Sequence, residues 1–388
     1  MNKTIKLDFL TSNILIFTLF LYILFSMTGI SILATLGKYA FIGLMAAIFV
    51  LLMNKKIIGR KVLKLFLPFF LFTSVYIFNL DSINDSRGLM IVLNQLFYLM
   101  IMYIFSFLRM TKNQTKVLSM VYYLTFPFLI LFLFVFPGIL NTNTIASFAY
   151  FLSFFPLFYF VETKTSYKQL KIFIVLSLTT FLVLAADARS ILLSMVFGLA
   201  TYLFWDFITK KKIRFNLYFF MIATINYFTT VIYPNLHKWK HFNTINNWSL
   251  ALTDKPIMTG RNTIWRQLLD LISIEPIFGH GSGVVPEDFL TTSLSAHNLY
   301  LQVGLQVGVV GILLLVLFFF VIWKNYWKNN HDPKVKLIGS FFISIIIHQT
   351  FEVTLTQNQF SIGLIQWIII ALGLNHSLGN RKNNQTEP

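Results

Sequence analysis

Apolar runs of about 17–22 residues recur along all 388 residues of this chain, and that repetition constrains the fold more than any other feature. A helix rises about 1.5 Å per residue, so each run is long enough to cross the hydrocarbon core of a bilayer. Hydrophobic residues make up 56% of the chain and charged residues 12%, too little polar surface for a soluble protein of this length. The expected fold class is all-α: a polytopic membrane protein of about twelve transmembrane helices. The runs place them at 9–27, 33–53, 62–79, 88–108, 117–136, 144–161, 170–186, 189–207, 215–233, 297–323, 336–352 and 359–376.

Charge supports this layout. The net charge of +17 could suggest nucleic acid, but the Lys and Arg residues sit in short clusters between apolar runs, so a nucleic-acid partner is not expected. With the N-terminus in the cytoplasm, 23 of the 31 basic residues fall on that side, in clusters near 3–6, 55–64, 109–116, 164–171, 210–214, 324–336 and 381–382. Positive residues favour cytoplasmic loops, so both termini are expected inside. Five of the other eight basic residues fall in 234–296, by far the longest connection, expected between helices nine and ten on the outer side. Such a loop is rarely padding. The expected organisation is one membrane domain over 1–388, with 234–296 as an extracytoplasmic subdomain containing a short amphipathic helix.

The absence of cysteine excludes disulfides and thiolate metal sites. The basic lead, Lys3 and Lys6, runs into an apolar stretch without a small-residue cleavage site, which reads as a retained first span.

Three stretches stand out chemically. In "SAHNLYLQVGLQVG", helical spacing puts His297, Leu301, Gly304, Gly308 and Gly311 on one face. Gly304 and Gly308 form a small-xxx-small pair that lets membrane helices approach, so His297 is expected to point into the bundle. The alternative is an interfacial histidine bonded to a loop carbonyl. In "TGRNTIWRQLLDLISIEPIFGHGSG", Arg261, Trp265, Leu268 and Ile272 share a face, as in an amphipathic helix along the outer membrane surface. The following "GHGSG" either presents backbone N–H groups to an anion or is an ordinary turn. In "LAADARS", Asp187 and Arg189 interrupt apolar sequence at an outer turn, where charge is costly unless it faces a polar cavity or pairs locally.

Other candidates carry less. "NLHKWKHF" reads as a headgroup anchor. His237 and His241 have metal-compatible spacing but no third ligand, so no metal site is expected. His348 and Glu352 either line the same outer cavity or form a structural pair.

"ARS", "GRNTIW", "PIFGHGSG" and "SAHNLYLQVGLQVG", in that order, resemble the O-antigen ligase and Wzy-type polysaccharide polymerase superfamily. The resemblance is strongest over about 180–315, with the large loop where that family places it. It implies a metal-independent, membrane-embedded glycosyltransferase of the GT-C type, without a cofactor, at the outer face of the bacterial inner membrane. The implied donor is an oligosaccharide on undecaprenyl diphosphate. Carried over, Arg189 and Arg261 engage the lipid diphosphate and His297 serves the acceptor hydroxyl. Arg266, Gly279, Gly281 and Asn298 are the expected substrate-binding residues. Asp187, two residues before Arg189, departs from the pattern and bears on that arginine's field.

The motifs fit a polymerase that joins one lipid-linked glycan to another and a ligase that transfers the glycan to lipid A core or a protein. The modest outer loop favours the polymerase, with flippase and chain-length proteins as expected partners beside the bilayer. A flippase itself fits less well, because the halves of the chain do not resemble each other and the unusual charges gather at the outer ends.

Overall fold

A computed structural model of the chain describes residues 9–379 apart from 29, 54–59, 81–85, 109, 164–165, 255, 259, 292–294 and 358. The basic residues Lys3, Lys6, Lys55, Lys56, Arg109, Lys164, Lys255, Arg381 and Lys382, and Thr259 of the second motif, lie outside the described residues.

All regular structure among the described residues is helical. The first half contains α1 (Phe9–Met27), α2 (Ser31–Met53), α3 (Arg60–Phe78), α4 (Ser86–Phe107), α5 (Lys112–Phe134), α6 (Thr142–Glu162) and α7 (Lys168–Ala185). The second contains α8 (Arg189–Leu203), the single turn α9 (Trp205–Ile208), α10 (Lys212–Ile232), α11 (Phe242–Thr253), α12 (Arg261–Ile274), α13 (Leu299–Tyr326), α14 (Pro333–His348) and α15 (Phe360–Gly379). Among the described residues, nine of these are long and apolar enough to cross a membrane: α1, α2, α4, α5, α6, α7, α10, α13 and α15. The chain is a polytopic helical membrane protein. The other three expected spans correspond to shorter helices: the apolar stretches of α3 and α8, and the 16 residues of α14. Length and apolar composition thus identify nine of the twelve expected spans among the described residues.

Helices suit these runs because hydrocarbon offers no partner for a peptide N–H or C=O, so each must be satisfied internally. α6, α14 and α15 are buried along most of their length. α14 packs on α8, α15 on α4, α13 on α3 and α5 on α6. The outer surface carries exposed Leu and Phe such as Phe173, Phe181, Leu199 and Leu203, a face suited to lipid. Buried indoles keep their N–H groups bonded: Trp205 to the Asn330 carbonyl at 2.8 Å, Trp323 to Phe215 at 2.9 Å and Trp367 to Leu355 at 2.7 Å.

α13 departs from the sequence expectation in two ways. His297 is not helical; its φ is 46°, and Asn298 caps the helix by accepting from the Leu301 N–H at 3.0 Å. Further along, Val307 (φ −135°, ψ 17°) and Gly308 (φ 65°, ψ −165°) break the helix. The single face through His297, Gly304, Gly308 and Gly311 therefore does not form.

Residues 276–281 pack against the break and take up its backbone groups. Val309 N–H donates to the Pro276 carbonyl at 2.9 Å and Val310 N–H to Ile277 at 3.3 Å. In return, His280 N–H donates to Leu305 at 2.8 Å and Gly281 N–H to Gln306 at 3.1 Å. Asn79 Nδ2 reaches the carbonyls of Phe278 and Gln306 at 2.6 and 2.7 Å. Close approach demands glycine on both sides. A Cβ on Gly279 would lie 2.7 Å from the Leu305 carbonyl oxygen, and one on Gly308 would overlap the Ile277 carbonyl. The glycines do permit tight packing, but their neighbour is the connection before α13.

Among its described residues, that connection, 234–296, holds two α-helices, α11 and α12, where one was expected. α12 buries Ile264, Trp265 and Leu268 in a small cluster with Ala296, Leu301 and Leu305. Its apolar face thus packs on the first half of α13. Arg87 at the start of α4 pairs with Asp288 at 2.9 Å, tying the same connection to the bundle.

Candidate active site

Five stretches remote in sequence meet at one end of the bundle: the first turn of α6, the α7–α8 turn, the start of α12, the residues before α13 and those after α14. Three helix termini explain the placement. Asn141 caps α6 by accepting from the Asn143 N–H at 2.8 Å, which puts Asn143 in the first turn. α7 ends in paired bonds from Asp187 N–H to Leu184 (2.9 Å) and Ala188 N–H to Val183 (3.3 Å), with Asp187 left-handed at φ 52°. This is the Schellman pattern with Asp where Gly is commoner. Asp187 thus has a backbone role in the tight turn that delivers Arg189 to the first position of α8. A cation there opposes the helix dipole, so helix stability does not account for it.

Arg189 and Arg261 line one pocket of about 540 Å³, together with Asn143, Asp187, Ser190 and Tyr233. Both guanidinium Nη atoms of Arg189 lie 3.4 Å from the Pro256 carbonyl. Ser190 Oγ is buried without a hydrogen-bond partner at the same wall. The first turn of α8 has no side-chain cap. An arginine, a hydroxyl and a helix N-terminus together suit an anion.

Arg261 opens α12 and donates through Nη1 to the Phe351 carbonyl at 3.2 Å, while Nη2 lies 3.4 Å from Glu352 Oε1. The other oxygen of Glu352 lies 3.1 Å from His297 Nδ1. Asn143 Nδ2 donates to Glu352 Oε1 at 3.2 Å. Glu352 thus holds the histidine and one arginine at once.

The backbone around it is fixed. Trp265, fully buried, donates to the Ala296 carbonyl at 2.8 Å, immediately before His297. Leu299 N–H donates to Gln349 at 2.8 Å, and the Gln349 side chain reaches Thr354 and the Leu355 N–H. Burial would push the Glu352 carboxyl up, but the His297 hydrogen bond and the nearby positive charges outweigh it and hold the carboxyl below its ordinary value. A carboxylate only accepts, so the proton in the His297 bond sits on Nδ1, and in the neutral ring Nε2 is then the nitrogen that bears the lone pair.

The structure brings Arg189, Arg261 and His297 to one place but not the remaining candidates. Arg266 donates to the Pro234 carbonyl at 3.0 Å and lies 3.3 Å from His237 Nδ1, bracing α12 against the turn after α10. Asn298 is fully buried and uses its side chain to cap α13 and to reach Thr230 at 3.1 Å. The N–H groups of Gly279 and Gly281 bond to Glu275 and Gln306, so neither is presented to an anion. His348 is buried with its ring against Phe151, away from the pocket. Among the described residues, no three His, Cys, Asp or Glu side chains cluster as a metal site would need.

A polytopic helical membrane protein with two arginines and a carboxylate-bound histidine at one end of its bundle defines a class of membrane-embedded site. Residues 172–316, which include Arg189, Arg261 and His297, match the model of the Wzy_C family, described as O-Antigen ligase. An uncharacterized protein of Haemophilus influenzae is 29% identical over 206 residues. The match covers 47% of this chain and 49% of that one, so this chain spans about half the length of the relative it matches.

Proposed function

We propose that the chain is a glycosyltransferase that takes a glycan from undecaprenyl diphosphate and joins it to a sugar hydroxyl of another lipid-linked repeat unit, as a polysaccharide polymerase. The observation that carries this reading is the Arg261–Glu352–His297 cluster, whose Arg261 lines one pocket with Arg189. In this reading this end of the bundle faces outward from the inner membrane, both termini are cytoplasmic, and residues 234–296 cover a single membrane domain of about twelve spans; the clustering of Lys and Arg between apolar runs supports that orientation.

In this reading the acceptor oxygen attacks the anomeric carbon from the face opposite the diphosphate, and the bond from that carbon to the diphosphate oxygen breaks with inversion. The hydroxyl proton passes to His297, and undecaprenyl diphosphate leaves as an anion. Guanidinium groups stabilise the charge growing on the leaving oxygen, most effectively where water is scarce. Arg189 and Arg261 supply positive charge of the kind a divalent cation supplies in other transferases.

Purified protein given its lipid-linked repeat unit as the only glycan is expected to yield a ladder of chain lengths on a gel. Product that forms only when lipid A core is added would instead identify a ligase, the activity named in the family description. No transfer under either condition would overturn both in favour of a transporter. Arg189→Ala is expected to lower kcat/KM for the donor roughly 10–100-fold, the loss of about 1.5–3 kcal/mol for one charged hydrogen bond, with Arg189→Lys intermediate.

A further inference from the structure

We propose that Glu352 is a positioning residue of the reaction, the second member of a His297–Glu352 dyad that orients the imidazole and stabilises the positive charge it acquires. This rests on the reading of His297 as the proton acceptor.

Glu352 is bonded to both His297 and Arg261, and its own side chain is only 11% exposed. Donors from three elements converge on it: His297 before α13, Arg261 of α12 and Asn143 of α6. Burying a carboxylate is costly unless it is paired and hydrogen-bonded. If pairing with Arg261 were its whole purpose, one oxygen would suffice. Here Oε1 serves Arg261 and Asn143 while Oε2 serves His297.

The geometry gives that second bond a chemical use. With the Nδ1 proton held on Glu352, Nε2 is the nitrogen able to accept the proton of an attacking hydroxyl. Transfer leaves the ring positive and Glu352 still ionised 3.1 Å away, so the pair is more favourable after proton transfer than before it. Orienting carboxylates of this kind act through the histidine without taking the proton themselves. The other charged or titratable groups acting on the pair are Arg261 and His348 at the end of α14; Asp187 and Arg189 line the pocket that Arg261 also lines.

The test compares wild type, Glu352→Gln, Glu352→Asp, His297→Ala and the Glu352→Gln/His297→Ala double variant, each first checked for a monodisperse folded fraction in detergent. In the ladder assay, Glu352→Gln is expected to lower kcat about 10²–10⁴-fold, within the range set by general-base and triad variants. KM for the donor should stay within about 3-fold, since Arg261 remains available for the diphosphate. Without the anion beside the imidazole, the acid limb of kcat moves to lower pH. Glu352→Asp recovers part of the rate, and the double variant is no slower than His297→Ala alone.

Folded Glu352→Gln with wild-type kcat and an unmoved acid limb would overturn the dyad while leaving the transferase reading intact. Additive losses in the double variant would do the same. Absence of transfer by wild type would remove the transferase reading, and the dyad with it.

Discussion

His297→Ala is expected to lose glycosyl transfer, with kcat down about 10²–10⁴-fold, while the protein still inserts and folds. The folded state tolerates the change because the His297 side chain is about 30% exposed and contributes one bond, to Glu352. Its backbone is the sensitive part, since φ is 46°, a region where most residues are strained. Asn visits that region more readily than Ala, so His297→Asn is the better control for folding. Both variants should run with wild type on size-exclusion chromatography and differ from it in the ladder assay. Wild-type product from either would sink the assignment of His297 as base. A loss of only a few fold would leave it as a group that orients the acceptor.

How much of this was legible in the sequence depends on the range of the interactions involved. The helices were legible because a long apolar run determines its own conformation once it is in hydrocarbon. α12 was legible through the spacing of Trp265, Leu268 and Ile272, but its partner was not. The sequence shows an apolar face without saying whether lipid or α13 covers it. α11 was missed because Phe242–Thr253 mixes Asn, Thr and Ser with apolar residues at low contrast.

The candidate site follows the same rule. Arg189, Arg261 and His297 were named through the resemblance, whereas their meeting requires the α7–α8 turn, α12 and α13 to be placed in space. In the sequence Glu352 is a polar residue near the outer end of a span, four residues from His348. α14 ends at His348, yet the Glu352 N–H still donates to the His348 carbonyl at 3.1 Å, while the side-chain partners of Glu352 come from α6, α12 and the approach to α13. A capped start at Asn141 and another at Asn298 were the available local signals for where two of those partners would sit. The break in α13 had no local signal beyond a glycine, because it depends on a segment some thirty residues upstream filling it.

That break carries the second large expectation. Gly308→Val should destabilise the protein and abolish transfer, although Gly308 lies ten residues beyond the Asn298 cap of α13. At φ 65° and ψ −165° the backbone occupies a region essentially reserved for glycine, and a side chain there costs about 1–3 kcal/mol. Its Cβ would also overlap the Ile277 carbonyl, which is backbone and cannot swing aside. Overpacking adds about 1–3 kcal/mol more. A chain relieving both would straighten α13 through Gly308 and expel residues 276–281, leaving the carbonyls of Leu305 and Gln306 without their donors from His280 and Gly281. Straightening would also swing Leu299–Val307 as a unit and carry His297 away from Glu352, so folded survivors should be inactive too. Gly43→Ala in α2 is the matched control, since a Cβ there meets nothing within 4 Å. Thermal unfolding in detergent should separate the two clearly. If Gly308→Val unfolds at the wild-type temperature and still builds the ladder, the break in α13 is not what holds His297 in place.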